Sequence, residues 1–284
     1  MSEASAVAEQ AAKELELENK KKAAWEAGKQ DMNDLVTQGS EAYFKKEFPD
    51  LKHAFSENTT CVCCMDEGVA HKDMEEGDKL ALAGSGILYP ADTEDERLDA
   101  VAKLMIERGV KTITSHGGCG AAGLAMKRDF PGTNPAPQQV NEYARDWAKK
   151  LTNRIQLAQH EAEHVHIDES EMERPAEFHN ARVVYFDAVG GFNPNKEKGL
   201  PMGFVIERKF VPAGYAGAEL KVAASIAFGH HGLAERFTKE DPFVIVVIAN
   251  SADDLDRLKK EADETLKDDE NFKAGKIKVD GLII

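Results

Sequence analysis

Short runs of β-branched and small apolar residues alternate along this chain with longer, charged segments of helical period, and that alternation restricts it to α/β folds. The runs are Thr59–Cys64, Lys79–Ala83, Lys111–Thr114, Arg182–Phe186, Phe204–Phe210, Phe243–Ala249 and Lys276–Ile284. Helical segments between them predict a mainly parallel central sheet flanked by helices, because parallel neighbours need crossover connections. The clearest helix follows Thr93. Thr93 and Glu96 have capping-box spacing, Leu98, Val101, Ala102, Met105 and Ile106 share one face, and Gly109 supplies the stop. Gln138–Glu163 and Glu219–Phe237 read as further helices, Ala252–Leu266 as a charged one.

Residues 1–55 are helical in pattern and highly charged, with Trp25, Leu35, Tyr43, Phe44, Phe48 and Phe55 as scattered apolar anchors. They read as an N-terminal helical arm, residues 56–210 as the core, and 211–284 as a C-terminal α/β extension packed on the same sheet. No internal repeat is visible. The 284 residues carry 36 Lys plus Arg against 51 Asp plus Glu, a formal net charge of −15. Such a surface repels phosphate backbones and anionic lipid, so neither nucleic acid nor a membrane surface is the expected partner. No run approaches the length of a membrane span, and no apolar signal core opens the chain, so a cytoplasmic protein is expected.

Chemistry concentrates at two places. Cys61, Cys63 and Cys64 fall within four residues on a predicted strand, and Cys119 closes the loop Ser115-His116-Gly117-Gly118-Cys119-Gly120 after another. Strand alternation sends residues 62 and 64 to one face and Cys61 and Cys63 to the other, which leaves Cys64 at the rim and the other two in the core. Two thiolates and one imidazole suit zinc and leave a fourth tetrahedral position for water or a carboxylate.

These segments resemble the β-class carbonic anhydrases. That family has Cys-x-Asp-x-Arg after its first core strand and His-x-x-Cys-Gly after a later one. Cys64-Met65-Asp66 and His116-Gly117-Gly118-Cys119-Gly120 follow that order and spacing. Gly77-Asp78-Lys79-Leu80 running into Ala83–Gly86 is similar to the family's Gly-Asp strand and small-residue loop, and Val184–Asp187 with Gly190-Gly191 to a later strand and turn. The resemblance spans about residues 50–210. It implies that Cys64, His116 and Cys119 bind Zn2+, that Asp66 is the catalytic carboxylate, and that the protein is a lyase. The reaction implied is reversible hydration of CO2 to bicarbonate by a zinc-bound hydroxide. It also implies a homodimer or dimer of dimers, since the family's N-terminal helices wrap a neighbouring subunit. One departure stands out: the motif arginine, which in the family holds the aspartate off the metal, is Gly68 here. Asp66 then either ligates zinc itself, or Glu67, Ser85 or a residue of another subunit reshapes the pocket.

Other readings compete. A non-catalytic descendant would keep zinc for structure or bind a bicarbonate-like anion, and a hydrolase would act on a CO2-like molecule such as carbonyl sulfide. His160-Glu161-Ala162-Glu163-His164 matches the His-Glu-x-x-His helix of zinc proteases, with His166 and His179 nearby. Its bland counterpart is a solvated helix end. His230-His231 reads as a helix kink.

Overall fold

A computed structural model describes residues 3–74 and 77–284. Three helices open it: α1 (Glu3–Ala27), α2 (Lys29–Gln38) and α3 (Ser40–Glu47). Strands β1 (Cys61–Cys63), β2 (Lys79–Ala81), β3 (Thr112–His116) and β4 (Glu163–Ile167) follow, interspersed with α4 (Glu67–Ala70), α5 (Glu94–Arg108), α6 (Gly120–Asp129) and α7 (Pro137–Leu157). The remainder comprises β5 (Val183–Asp187), β6 (Gly203–Glu207), α8 (Ala213–Ala227), β7 (Phe243–Ala249), α9 (Ala252–Leu266), α10 (Glu270–Lys273) and β8 (Ile277–Ile283).

The fold is α/β with parallel strands, as the alternation requires, but the strands form two sheets. One runs β2-β1-β3-β4 and the other β6-β5-β7-β8, every pairing parallel. The orders are the same, so the second half repeats the topology of the first although no sequence repeat announces it. The expected boundary at residue 210 runs through the second sheet, because β5 hydrogen-bonds to β7 beyond it. Edge strands β2 and β6 lie beside each other, and Val205 N–H donates to Met65 O at 3.1 Å.

Alternate residues of both sheets feed two shared cores. Val62, Leu80 and Ile113 join Val184, Phe186, Ile206 and Val247 in one, while Cys61, Cys63 and Ala81 join Val183, Tyr185, Val205 and Val246 in the other. Val62 and Cys64 thus share a face opposite Cys61 and Cys63, as the strand period predicts. All seven residues of β7 are buried, and each large apolar side chain among them contributes about 1.5–3 kcal/mol. The capping box of α5 is formed: Thr93 Oγ1 accepts from Glu96 N–H at 3.2 Å, Glu96 Oε2 from Thr93 N–H at 3.0 Å, and Gly109 closes the helix at φ 77°.

Two local expectations are corrected. Helix α7 stops at Leu157, and Glu163–Ile167 is an edge strand, so His160 lies in a turn and His164 on β4. Helix α8 ends at Ala227, which leaves His230 and His231 in the turn after it rather than at a kink. The anchors of the N-terminal arm are covered within the chain. Trp25, Leu35, Tyr43, Phe44 and Phe48 are buried, with Trp25 stacked under the Arg182 guanidinium at 3.6 Å. Among the described residues no helix is long and apolar enough to cross a membrane.

Candidate metal centre

Strands β1 and β3 are neighbours whose connections leave in opposite directions, β1 toward β2 and β3 toward β4. Such a divergence opens a crevice at the carboxyl ends of the strands, where doubly wound sheets bind ligands. Pairing Cys61 with Thr112 and Val62 with Ile113 brings Cys64, just past β1, and His116, the last residue of β3, to that crevice. The following loop returns Cys119 to the start of α6, where the amides of Ala121 and Ala122 reach its sulfur.

One ligand atom from each of Cys64, His116 and Cys119 lies within 4.8 Å of the other two, and all three residues are buried. A tetrahedral zinc with bonds of about 2.3 Å sets its sulfurs roughly 3.8 Å apart, within that span. His116 Nδ1 donates to Gly117 O at 2.8 Å, which fixes the tautomer and leaves Nε2 as the nitrogen available to a metal. That Nε2 is buried without a hydrogen-bond partner among the described residues. A buried imidazole nitrogen left unsatisfied beside two thiols is what a metal ligand looks like without its ion. The residues therefore fit a zinc-type ion.

The protons of the trio support this. A hydrogen bond to Cys119, then burial, pushes the Cys64 thiol well up, whereas the same hydrogen bond holds Cys119 below the usual thiol range. Burial alone would lower His116, but the neighbouring Cys64 charge raises it to about 9. A dication held by the trio would favour the deprotonated thiols and the neutral imidazole.

Asp66 does not belong to this trio. It caps α4, with Oδ1 accepting from Gly68 N–H at 2.9 Å, and it forms a two-pronged ion pair with Arg174. Arg174 Nε reaches Oδ1 at 2.9 Å and Nη2 reaches Oδ2 at 3.2 Å, both side chains almost wholly buried. Burial alone would raise the Asp66 carboxyl, but His179, Arg174 and His116 together hold it well below the usual carboxylate range. Sequence reading missed Arg174, which lies 108 positions away in a loop beyond β4. Gly68 makes this approach possible: a Cβ there would meet Arg174 Cγ at 2.5 Å, so glycine is what lets this guanidinium cross to the aspartate.

Beside the ion pair, the fully buried Glu67 carboxylate accepts from His179 Nδ1 at 3.0 Å and from Asn180 N–H at 3.0 Å. His179 therefore pairs with Glu67. Among the described residues His160 and His164 join no metal-sized cluster; His164 Nε2 instead meets Ser115 Oγ at 2.8 Å. A cleft of about 570 Å³ reaches Gly118 and Gly120 on either side of Cys119, and is bounded by Arg174, His179, Ile226 and His230. None of Cys64, Asp66, His116 and Cys119 lines it.

The chain matches no family model, no curated protein and no solved structure. The residues themselves carry the functional argument.

Proposed function

We propose that this protein is a carbonic-anhydrase-like zinc lyase that hydrates CO2 reversibly to bicarbonate. The observation that carries the reading is the pairing of a Cys64–His116–Cys119 cluster with an aspartate, Asp66, whose charge is already engaged by Arg174. Zinc, when bound, supplies a Lewis acid that brings the acidity of a water molecule toward neutral pH.

The protein's part is to hold the ion with two sulfurs and one nitrogen and to keep a fourth position open. An ionised Asp66 without a partner would compete for that position. The Arg174 guanidinium satisfies both of its oxygens and keeps it as a hydrogen-bond acceptor. With the ion bound, Asp66 would be the hydrogen-bond acceptor for its water, and the cleft along Gly118, Arg174 and His179 would be the approach for a small, neutral, linear molecule. Carbonyl sulfide, of the same shape, is an alternative substrate. A centre that keeps zinc for structure or binds a bicarbonate-like anion is the non-catalytic alternative. The same family resemblance suggests a homodimer or dimer of dimers. Stopped-flow CO2 hydration with zinc content measured in parallel tests the reading. Wild type should hydrate CO2 with one zinc per chain, Cys64→Ser should lose both, and Asp66→Asn should keep zinc but lose most activity. Full zinc without hydration of CO2 or carbonyl sulfide would leave only the non-catalytic alternative.

A further inference from the structure

The second sheet repeats the strand order of the first, yet its corresponding crevice, between Ala188 and Asn250, is lined by no thiol or imidazole. What this half gives to the chemistry lies on α8, which reaches across to the first sheet. Glu219 on α8 is buried, and its Oε1 accepts the backbone N–H of Ala83. Ala83 opens the tight turn after β2, in which Gly84 (φ 53°, ψ 37°) and Ser85 (φ 55°, ψ 40°) are both left-handed. A non-glycine residue stays in that region only when its surroundings hold it there. Here Ser85 Oγ donates to Thr114 O at 2.6 Å, Trp147 Nε1 donates to Ser85 O at 3.2 Å, and Glu219 ties down the first peptide.

The turn delivers the Gly84 N–H to Cys64 Sγ at 3.2 Å. A Cβ on Gly84 would lie 3.5 Å from Cys119 Sγ as well, so this backbone runs against both sulfurs of the cluster. An N–H directed at a thiolate stabilises its charge and fixes the sulfur's orientation, the task that second-layer groups perform at metal sites. Burial pushes Glu219 up to about 8, so near neutral pH its carboxyl is mostly neutral and serves through acceptor geometry rather than charge.

We propose that Glu219, supplied by the second half of the chain, is a positioning residue for the metal centre: by fixing the Ala83–Gly84 peptide it aims the Gly84 N–H at Cys64 Sγ. The proposal rests on the metal-binding part of the reading above but not on any activity. It also gives a reason for a second half that carries no metal ligands of its own.

Zinc affinity of the full-length protein, measured by competition with a chromophoric chelator, tests it alongside the sulfur-to-metal charge-transfer bands of the cobalt-substituted protein. Glu219→Leu removes the acceptor and should weaken zinc about 10–100-fold and shift the bands. Glu219→Gln keeps an oxygen for Ala83 and should stay within about threefold of wild type, with unshifted bands. A folded Glu219→Leu protein with wild-type affinity and bands would overturn the proposal, as would a Gln variant no better than Leu. Should the Leu variant not fold, Glu219→Asp decides, since a carboxyl one carbon shorter no longer reaches Ala83; wild-type affinity and bands there would also overturn it. Wild-type protein that binds no zinc would bring down the metal reading itself, an outcome distinct from these.

Discussion

Truncating Arg174 to alanine strips a buried carboxylate of its guanidinium. The Asp66 and Arg174 side chains are 6% and 4% exposed, so water has little room to replace the lost partner. Removing one member of a buried pair costs about 3–5 kcal/mol, because the other charge remains in a poorly solvating interior. Urea unfolding of the metal-free protein at neutral pH should show a loss of that size. Asp66→Asn combined with Arg174→Ala should recover part of it, since the orphaned charge is then gone. The acid limb should move too. Asp66 is held well below the usual carboxylate range, so its stabilisation is complete above an unfolded-state pKa of about 3.9 and is lost as pH falls through the lower folded value. Without Arg174 that loss should begin at higher pH. Gly68→Arg offers a complementary test. Alone it should destabilise, because its Cβ falls 2.5 Å from Arg174 Cγ. With Arg174→Ala that atom is absent, the nearest remaining neighbour is Met172 Cβ at 3.1 Å, and an arginine two residues after Asp66 should restore stability and hydration together. An Arg174→Ala protein within about 1 kcal/mol of wild type, a surface-pair value, would refute the reasoning.

Burial, then the Asp187 charge on the neighbouring strand, pushes Glu207 up to about 8. A folded-state pKa above the unfolded value of about 4.3 means stability present in acid and lost as pH rises toward and through 8, so Glu207→Gln should flatten the fall in melting temperature between pH 5 and about 9. Burial likewise pushes the Cys63 thiol up to about 12, so Cys63 should resist alkylation in the native protein at pH 8 and react only on unfolding; mass spectrometry after iodoacetamide treatment reads this directly. His160→Ala and His164→Ala should both retain full zinc while Cys64→Ser loses it, measured by elemental analysis. The opposite result would move the metal to the histidine pair.

Much of the architecture is local information and was open to sequence reading. The Thr93–Glu96 box and Gly109 delimit α5, the apolar run Phe243–Ala249 is β7 from end to end, and strand alternation separates Cys64 from Cys61 and Cys63. Each depends on neighbours within a turn of helix or a few strand residues. The Cys64–His116–Cys119 cluster was legible for a related reason: Cys64 and His116 each sit where a predicted strand ends, and parallel strands bring those ends to one edge. The edge strand Glu163–Ile167 was not legible, because only Ile167 is fully buried and Glu163, His164 and His166 continue the polar character of the end of α7.

What only the tertiary structure decided is everything that pairs distant residues. Strand order splits the chain into two sheets of one topology, and order depends on packing between crossovers rather than on any local pattern. Arg174 meets Asp66 from 108 positions away, and Glu219 reaches Ala83 from 136 away; neither carries a motif, since a single charged residue in a polar loop or on a helix has no periodicity to betray its partner. The sequence alone pointed to the three residues that the fold gathers into a possible metal site, and to the glycine two residues after Asp66, because both lie in short motifs. Folding alone supplied the guanidinium that meets Asp66, because a buried carboxylate takes its counter-charge from whatever segment the packing brings within 3 Å.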